Sequence, residues 1–310
     1  MKILHLNNPA QVASNLVKAQ RKLGVDSNLV ITGNKHLHDN YDYDLSYIPT
    51  KYFQGKIDLC RRLYGLIQDC DILHYHGQAI STGYRDLIMW AGIMNKPVIL
   101  HYHGSEIRNK KPSKFTNAFV KHTYVSTPDL LKSVPEAEWL PNPTNLEKIV
   151  YSDLDINEKL VILHAPSNRK IKNTQAVIDA LEVLKEEGIN IELNLVENIE
   201  HDKLIRMISQ SHVVIDWVNP DFGIYGVLSI ESMATGRPVI CTLTDSLYKE
   251  YDLPIINCQP NDLSNTIKNI FSSSENLIKK GKLGYDFVHK YHDSSEIAKK
   301  VINRYESILG

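Results

Sequence analysis

The sequence predicts an α/β fold in two halves, each a parallel sheet with helices on both faces. Three observations predict it. Short β-rich apolar runs alternate with amphipathic helical stretches almost throughout. The segment "EWLPNPTNLEKI", with prolines at 141 and 143 and asparagines at 142 and 145, then breaks the rhythm like a linker. The rhythm restarts at "KLVILHA", and 310 residues are comfortable for two domains of ordinary size. Residues 1–145 and 146–292 are the expected halves.

In chain order, "KILHL" reads as a strand and "PAQVASNLVKAQRKLG" as a helix, with Pro9 near its start and Gly24 at its end. The strand "SNLVI", the helix "IDLCRRLYGLIQ", the strand "DILHY" and the helix "YRDLIMWAGIM" follow, then the strands "PVILHY" and "HTYVS". The second half gives the strand "KLVILHA", the helix "NTQAVIDALEVLKEEG", the strand "NIELNLV", the helix "DKLIRMISQ" and the strand "HVVIDWV". After these come the helix "GVLSIESMATG", the strands "RPVICT" and "LPIINC", and the helix "NDLSNTIKNIFSS". A last tract, "SSEIAKKVINRYESIL", carries apolar residues at helical spacing.

A hydrophobic share of 43% and a charged share of 23% suit a globular protein with real cores, and no apolar run approaches a membrane span. The start lacks the pattern of a signal peptide, and Cys60, Cys70, Cys241 and Cys258 form no C-x-x-C pair. A cytoplasmic protein with buried thiols is the expectation. Net charge is −1, which gives no support for a nucleic-acid partner. Residues 1–155 nevertheless hold 18 Lys and Arg against 15 Asp and Glu. The densest basic run, with Arg108, Lys110, Lys111 and Lys114, reads as a solvated loop or as a seat for an anionic, membrane-borne acceptor.

Ligands of open parallel sheets bind beyond the carboxyl ends of the strands, so the chemistry is sought there. The tetrapeptide HYHG closes two of these strands, with His74 and His76 in one copy and His101 and His103 in the other. His101 and His103 share a face, and Gly104 permits close backbone approach to a ligand. A metal site needs a third ligand, and no matching spacing is seen, so no metal is expected. His103 reads as substrate-facing, His74 and His101 as structural. In "LHAPSNRKIKNT", Ser167, Asn168, Arg169, Lys170 and Lys172 lie between a strand and a helix, where cations and free amides suit a diphosphate. In "FGIYGVLSIESMATGRPVI", Gly226 opens a helix that carries Glu231, a carboxylate able to take a ribose diol.

These three segments, in this order, resemble family 4 glycosyltransferases, retaining enzymes of the GT-B fold. "YGVLSIESMATGRPVI" is similar to the family's nucleotide-ribose helix, "HAPSNRKIKNT" to its phosphate turn and "HYHGSEIR" to its histidine motif. "YVSTPDLL", "WLPNPTN" and "YHDSSEIAKKVINRYESIL" also fit, so the resemblance covers nearly the whole chain. Where the family commonly has an earlier glutamate, this sequence has Gly223. Arg169 stands three residues before Lys172 rather than about five, and "NNPAQV" replaces the family's Gly-Gly loop.

The resemblance implies two Rossmann-like domains facing across a cleft, with residues 293–310 packing back on the first. It implies a UDP- or GDP-linked sugar donor, a glycan or lipid-linked acceptor, retention of configuration, and no cofactor or metal. His103, Arg169 and Lys172 would be catalytic; Gly104, Ser167, Asn168, Tyr225, Gly226, Val227 and Glu231 would hold the nucleotide-sugar. Two alternatives stay open: an inactive nucleotide-sugar binder, and an epimerase or Rossmann oxidoreductase. Against the oxidoreductase, "HLNNPAQVAS" has no glycine after the first strand.

Overall fold

A computed structural model describes residues 1–32, 40–77, 79–155, 159–272 and 274–310. Its strands are β1 (Lys2–Leu6), β2 (Asp26–Ile31), β3 (Tyr43–Asp44), β4 (Ile72–His76), β5 (Val98–Tyr102), β6 (Val120–Val125), β7 (Glu138–Trp139), β8 (Leu160–His164), β9 (Ile191–Leu195), β10 (Val213–Ile215), β11 (Val239–Cys241) and β12 (Ile256–Asn257). Its α-helices are α1 (Val12–Lys22), α2 (Phe53–Asp69), α3 (Lys114–Phe119), α4 (Arg169–Lys172), α5 (Thr174–Glu186), α6 (His201–Ser209), α7 (Val227–Ala234), α8 (Asp245–Glu250), α9 (Leu263–Phe271), α10 (Ser274–Tyr291) and α11 (Ser294–Leu309). Among the described residues, no helix is long and apolar enough to cross a membrane.

The chain divides into two units, Met1–Thr144 with Ser294–Gly310, and Asn145–Asp293. The first holds a seven-stranded sheet in the order β3-β2-β1-β4-β5-β6-β7, the second a five-stranded sheet in the order β12-β11-β10-β8-β9. Every strand pair is parallel. Parallel strands require crossovers, which is why helical stretches separate the strands in sequence.

Alternation along the strands sorts the first unit into two cores. Leu4, Leu73, Tyr75, Leu100 and Tyr102 bury one sheet face with Leu59, Leu63 and Ile67 of α2. Ile3, Ile72, Ile99 and Tyr124 bury the other with Leu16 and Ala19 of α1 and Ile297, Val301 and Tyr305 of α11. Full burial of such side chains stabilises by about 1.5–3 kcal/mol each. Glu138 on β7 adds ion pairs to Lys300 (2.8 Å) and Arg304 (3.1 Å), fixing α11 to the sheet from which it is most distant in sequence.

Two expected elements differ. Instead of an α-helix, "YRDLIMWAGIM" forms a short turn and a π-helical segment, Ile88–Ile93. Trp90 is fully buried there, and Asp86 takes hydrogen bonds from Tyr75 Oη (2.6 Å) and Ser81 Oγ (2.6 Å). Tertiary anchoring at both residues overrides the helical period. Conversely, α10 was not expected in "SENLIKKGKLGYDFVHKY", because Gly281 and Gly284 interrupt the helical pattern. Both glycines serve packing: a Cβ on Gly281 would lie 2.2 Å from the Gly236 carbonyl oxygen, and one on Gly284 would lie 2.9 Å from Met233 Cγ. The helix trades propensity for close approach to α7.

Candidate functional site

The two HYHG segments end β4 and β5, and the register places His76 beside His101. It also places His5 of β1 beside His74. Five imidazoles therefore gather on the sheet face that α1 and α11 cover. His5, His74, His76 and His101 are buried, and His103 is half-buried at the strand end. The sequence reading had missed His5. The third ligand that it found lacking is therefore present: nitrogens of His5, His74 and His76, and of His76, His101 and His103, lie within 4.8 Å of one another.

The arrangement is nonetheless a hydrogen-bonded chain. His5 Nδ1 lies 2.9 Å from His76 Nε2, with ring centroids 5.2 Å apart. His76 Nδ1 lies 3.2 Å from His103 Nε2, with centroids 5.4 Å apart. In each pair the centroids exceed the nitrogen separation by about two ring radii, so the nitrogens point at one another rather than converging on a third point. His5 Nε2 meets Gln20 Oε1 (2.9 Å), which also accepts from Ser27 Oγ (2.7 Å).

That oxygen can only accept, so His5 carries its proton on Nε2 and accepts at Nδ1. His76 must then donate from Nε2, and His103 likewise. Ser126 Oγ donates to the remaining Nδ1 of His103 (2.5 Å) and accepts from His101 Nε2 (3.2 Å). Tyr305 Oη, receiving Gln20 Nε2, donates to His74 Nδ1 (2.6 Å). His5, His76 and His103 are thus Nε2–H tautomers that donate inward, whereas His101 donates to Ser126 and the Nε2 of His74 meets no partner among the described residues. Burial, with the mutual repulsion of neighbouring histidines, holds His74, His76 and His101 neutral. Burial lowers His5 to about 4 and His103 to about 3. At the end of the chain, Gly104 has φ +153° and the Glu106 carboxylate accepts the His103 backbone N–H.

In the second unit, Lys172 is buried and its Nζ is bonded to Asp216 Oδ1, 4.2 Å above the Trp217 ring. Ser229 Oγ of α7 donates to the other Asp216 oxygen (2.6 Å). In sequence Lys172 groups with the loop cations suited to a diphosphate, but the structure makes it half of a buried pair. Arg169 is exposed and forks onto Glu197 Oε2 (2.8 and 2.6 Å), which raises its pKa. Asn168 caps α4, accepting from the Ile171 N–H (3.0 Å), and Ser167 is exposed.

Gly226 begins α7 with no side-chain cap. A Cβ there would lie 2.7 Å from Trp217 Nε1, an indole N–H buried without a partner. Uncapped amides, an unpartnered indole N–H and a lysine form a setting for an anion. Val227 is the first residue of α7, and Glu231, which is buried, accepts from His201 Nε2 of α6 (2.6 Å). Tyr225 turns into the core, its hydroxyl 3.1 Å from His292 Nε2, so only its backbone is left to meet a ligand. Gly223 has φ +59°, and a Cβ would lie 2.4 Å from Thr244 Cγ2. A glutamate there would need a strained left-handed backbone and a shift of Thr244. His201, Asp216 and Trp217 carried no sequence signal beyond their residue types, because the Glu231 and Lys172 that they meet lie 30 to 45 positions away.

Solved structures share the fold over the whole chain. HepE of Anabaena, in complex with UDP and glucose, is 12% identical, with TM-score 0.72 and coverage of 99% of this chain and 100% of that one. An α-glucosyltransferase, in complex with UDP and a 13-mer DNA, is 14% identical, with TM-score 0.67 and 99% of each chain covered. UDP-GlcNAc 2-epimerase of Neisseria meningitidis, bound to UDP-GlcNAc, is 13% identical, with TM-score 0.61 and coverage of 98% and 99%. No family model matches the chain, and no curated protein matches its sequence. The fold is GT-B, built from two parallel α/β units.

Proposed function

We propose that this protein is a retaining glycosyltransferase that moves a sugar from a UDP- or GDP-linked donor to a glycan or lipid-linked acceptor without a metal. The observation that carries the reading is α7: a helix uncapped at Gly226, beside Lys172 and Trp217, with Glu231 buried one turn further on. Neighbours of the same fold bind UDP or a UDP-sugar, which supports the assignment.

In this reading Glu231, steadied by His201, accepts the ribose hydroxyls. The diphosphate lies at the amino end of α7, near Ser167, Asn168 and the backbone of residues 225–227. Lys172 keeps N–H donors beyond the one given to Asp216, and Arg169 can exchange Glu197 for phosphate. The bond from the anomeric carbon to the diphosphate oxygen breaks, and the bond to the acceptor oxygen forms. The acceptor proton leaves with the diphosphate, whose developing charge these donors stabilise. His103, with Gly104 beside it, contacts the sugar through Nδ1 once a sugar hydroxyl replaces Ser126 Oγ as the donor there. DNA is a further acceptor to test, because a neighbour of the same fold is in complex with UDP and a 13-mer DNA.

The test is release of nucleoside diphosphate from a panel of sugar donors with glycan, lipid and DNA acceptors. Release that depends on acceptor supports the reading. A second reading, a nucleotide-sugar epimerase, has the epimerase neighbour in its favour. An isomerised donor sugar formed without any acceptor would favour it instead.

A further inference from the structure

Helix α2 carries two apolar stripes. Gly55, Leu59, Leu63 and Ile67 repeat at four-residue intervals and are buried. Phe53, Ile57, Cys60 and Tyr64 form a second stripe at spacings of four, three and four, and this one faces water. Phe53 is 79% exposed, Tyr64 44% and Ile57 37%. The π-helical segment extends the patch with Met89 and with Ile93, which is 77% exposed. Two shallow grooves share Tyr64 and Met89, so the patch is continuous. Single exposed apolar residues need no explanation, but a continuous patch of this kind marks an interface.

Its charge indicates the partner. Lys51, Lys56, Arg61, Arg62 and Arg85 are exposed around it. Of the two acids of α2, Asp58 is half-buried and accepts from Gln54 Nε2 (3.3 Å), and the exposed Asp69 ends the helix, beyond the stripe that closes at Tyr64. Neither groove is lined by an aspartate or glutamate. Lys96 is not counted, because its ammonium donates to the carbonyls of Gln68 (2.8 Å) and Cys70 (2.7 Å). Tyr47 and Tyr52, 62% and 65% exposed, add amphipathic rings of the kind that settle at a lipid–water boundary. A second copy fits poorly, since a two-fold contact would set these cations against themselves.

We propose that the outer face of α2, with the Ile88–Ile93 segment, docks on an anionic phospholipid bilayer. Apolar side chains would enter the headgroup boundary while the surrounding cations meet lipid phosphates. This is a different surface from the 108–114 run, where Arg108 is paired with Asp129 (2.9 Å) and Lys110 bonds the Ser105 carbonyl (2.6 Å).

Vesicle flotation tests the proposal without reading turnover, so its outcome is separate from that of the transferase assay. The full chain should bind vesicles of phosphatidylcholine with one-third phosphatidylglycerol at least about ten-fold more tightly than phosphatidylcholine alone. Lys56→Glu with Arg61→Glu should lower that binding at least about ten-fold, as should Phe53→Ser with Ile57→Ser and Tyr64→Ser. Lys110→Glu with Lys111→Glu should leave it within two-fold. Circular dichroism checks folding, and the charge reversal decides the matter if the serine variant does not fold. Equal binding to both vesicles, no binding to either, or loss only with Lys110 and Lys111 would overturn the assignment. So would sedimentation showing a dimer in buffer that the serine variant abolishes.

Discussion

His103 Nε2 lies 3.2 Å from His76 Nδ1, and this hydrogen bond ties the histidine at the strand end to imidazoles buried behind it. Because the chain ends on the acceptor-only oxygen of Gln20, the direction of every donor in it is fixed. His103 spends its N–H inward and offers outward only a lone pair, now met by Ser126.

Long-range ¹H–¹⁵N correlation should therefore show His5, His76 and His103 all protonated on Nε2 at neutral pH. An Nδ1–H tautomer at any of them would break the chain. His103→Ala should lower turnover roughly ten- to hundred-fold, the worth of one or two well-placed hydrogen bonds, and leave nucleotide affinity unchanged. His74→Ala should act instead on stability, since its ring is fully buried against Tyr305.

Much of the fold was legible because a parallel α/β sheet writes itself in alternation, and the break at 141–145 lies where the first unit gives way at Thr144. The elements misread were those where local pattern and packing disagree, the glycine-bearing α10 and the segment anchored by Trp90. At the site, residue types pointed to Glu231 and His103, but not to what holds them. "KILHL" gives no hint that His5 belongs with HYHG, because that depends on strand order. Nor does "RKIK" disclose that Lys172 turns inward to Asp216.

That inward turn separates Lys172 from Arg169. Lys172→Ala would leave Asp216 charged and buried without its partner, at a cost of about 3–5 kcal/mol. Arg169→Ala, which removes an exposed pair with Glu197, should leave stability nearly unchanged. Urea melts of the two single variants measure the contrast. Equal and small effects would mean that Asp216 does not depend on Lys172.

Glu231→Gln keeps the shape of the side chain but removes a charged acceptor. If the ribose lies there, affinity for UDP or GDP should fall roughly ten- to hundred-fold in calorimetry, with the thermal midpoint little changed. His201→Ala should weaken binding less, because it steadies the carboxylate without replacing it. Unaltered affinity in Glu231→Gln would remove the ribose role.

The histidine cluster also sets a pH dependence and a metal test. Burial lowers the folded-state pKa of His5 to about 4, below its ordinary 6.5, so the unfolded chain binds its proton first as pH falls. The stabilisation is fully present above pH 6.5 and is lost on acidification towards pH 4. For His5 alone this amounts to about 3 kcal/mol. The neighbours do not reverse the sign. The Gln20 hydrogen bond favours the cation on His5 and Arg21 disfavours it, and burial, the largest effect, lowers the pKa overall. Glu106 touches the backbone of His103. Denaturant midpoints should thus fall steadily from pH 7 to pH 4, and less in His5→Gln. Neutral imidazoles are also what zinc requires, so the same cluster can be challenged directly. With its nitrogens engaged in line with one another, zinc at neutral pH should leave the thermal midpoint unchanged, and a chelator should not lower turnover. A midpoint that climbs with zinc concentration, as ligation of the folded state demands, would show that the chain opens to hold a metal.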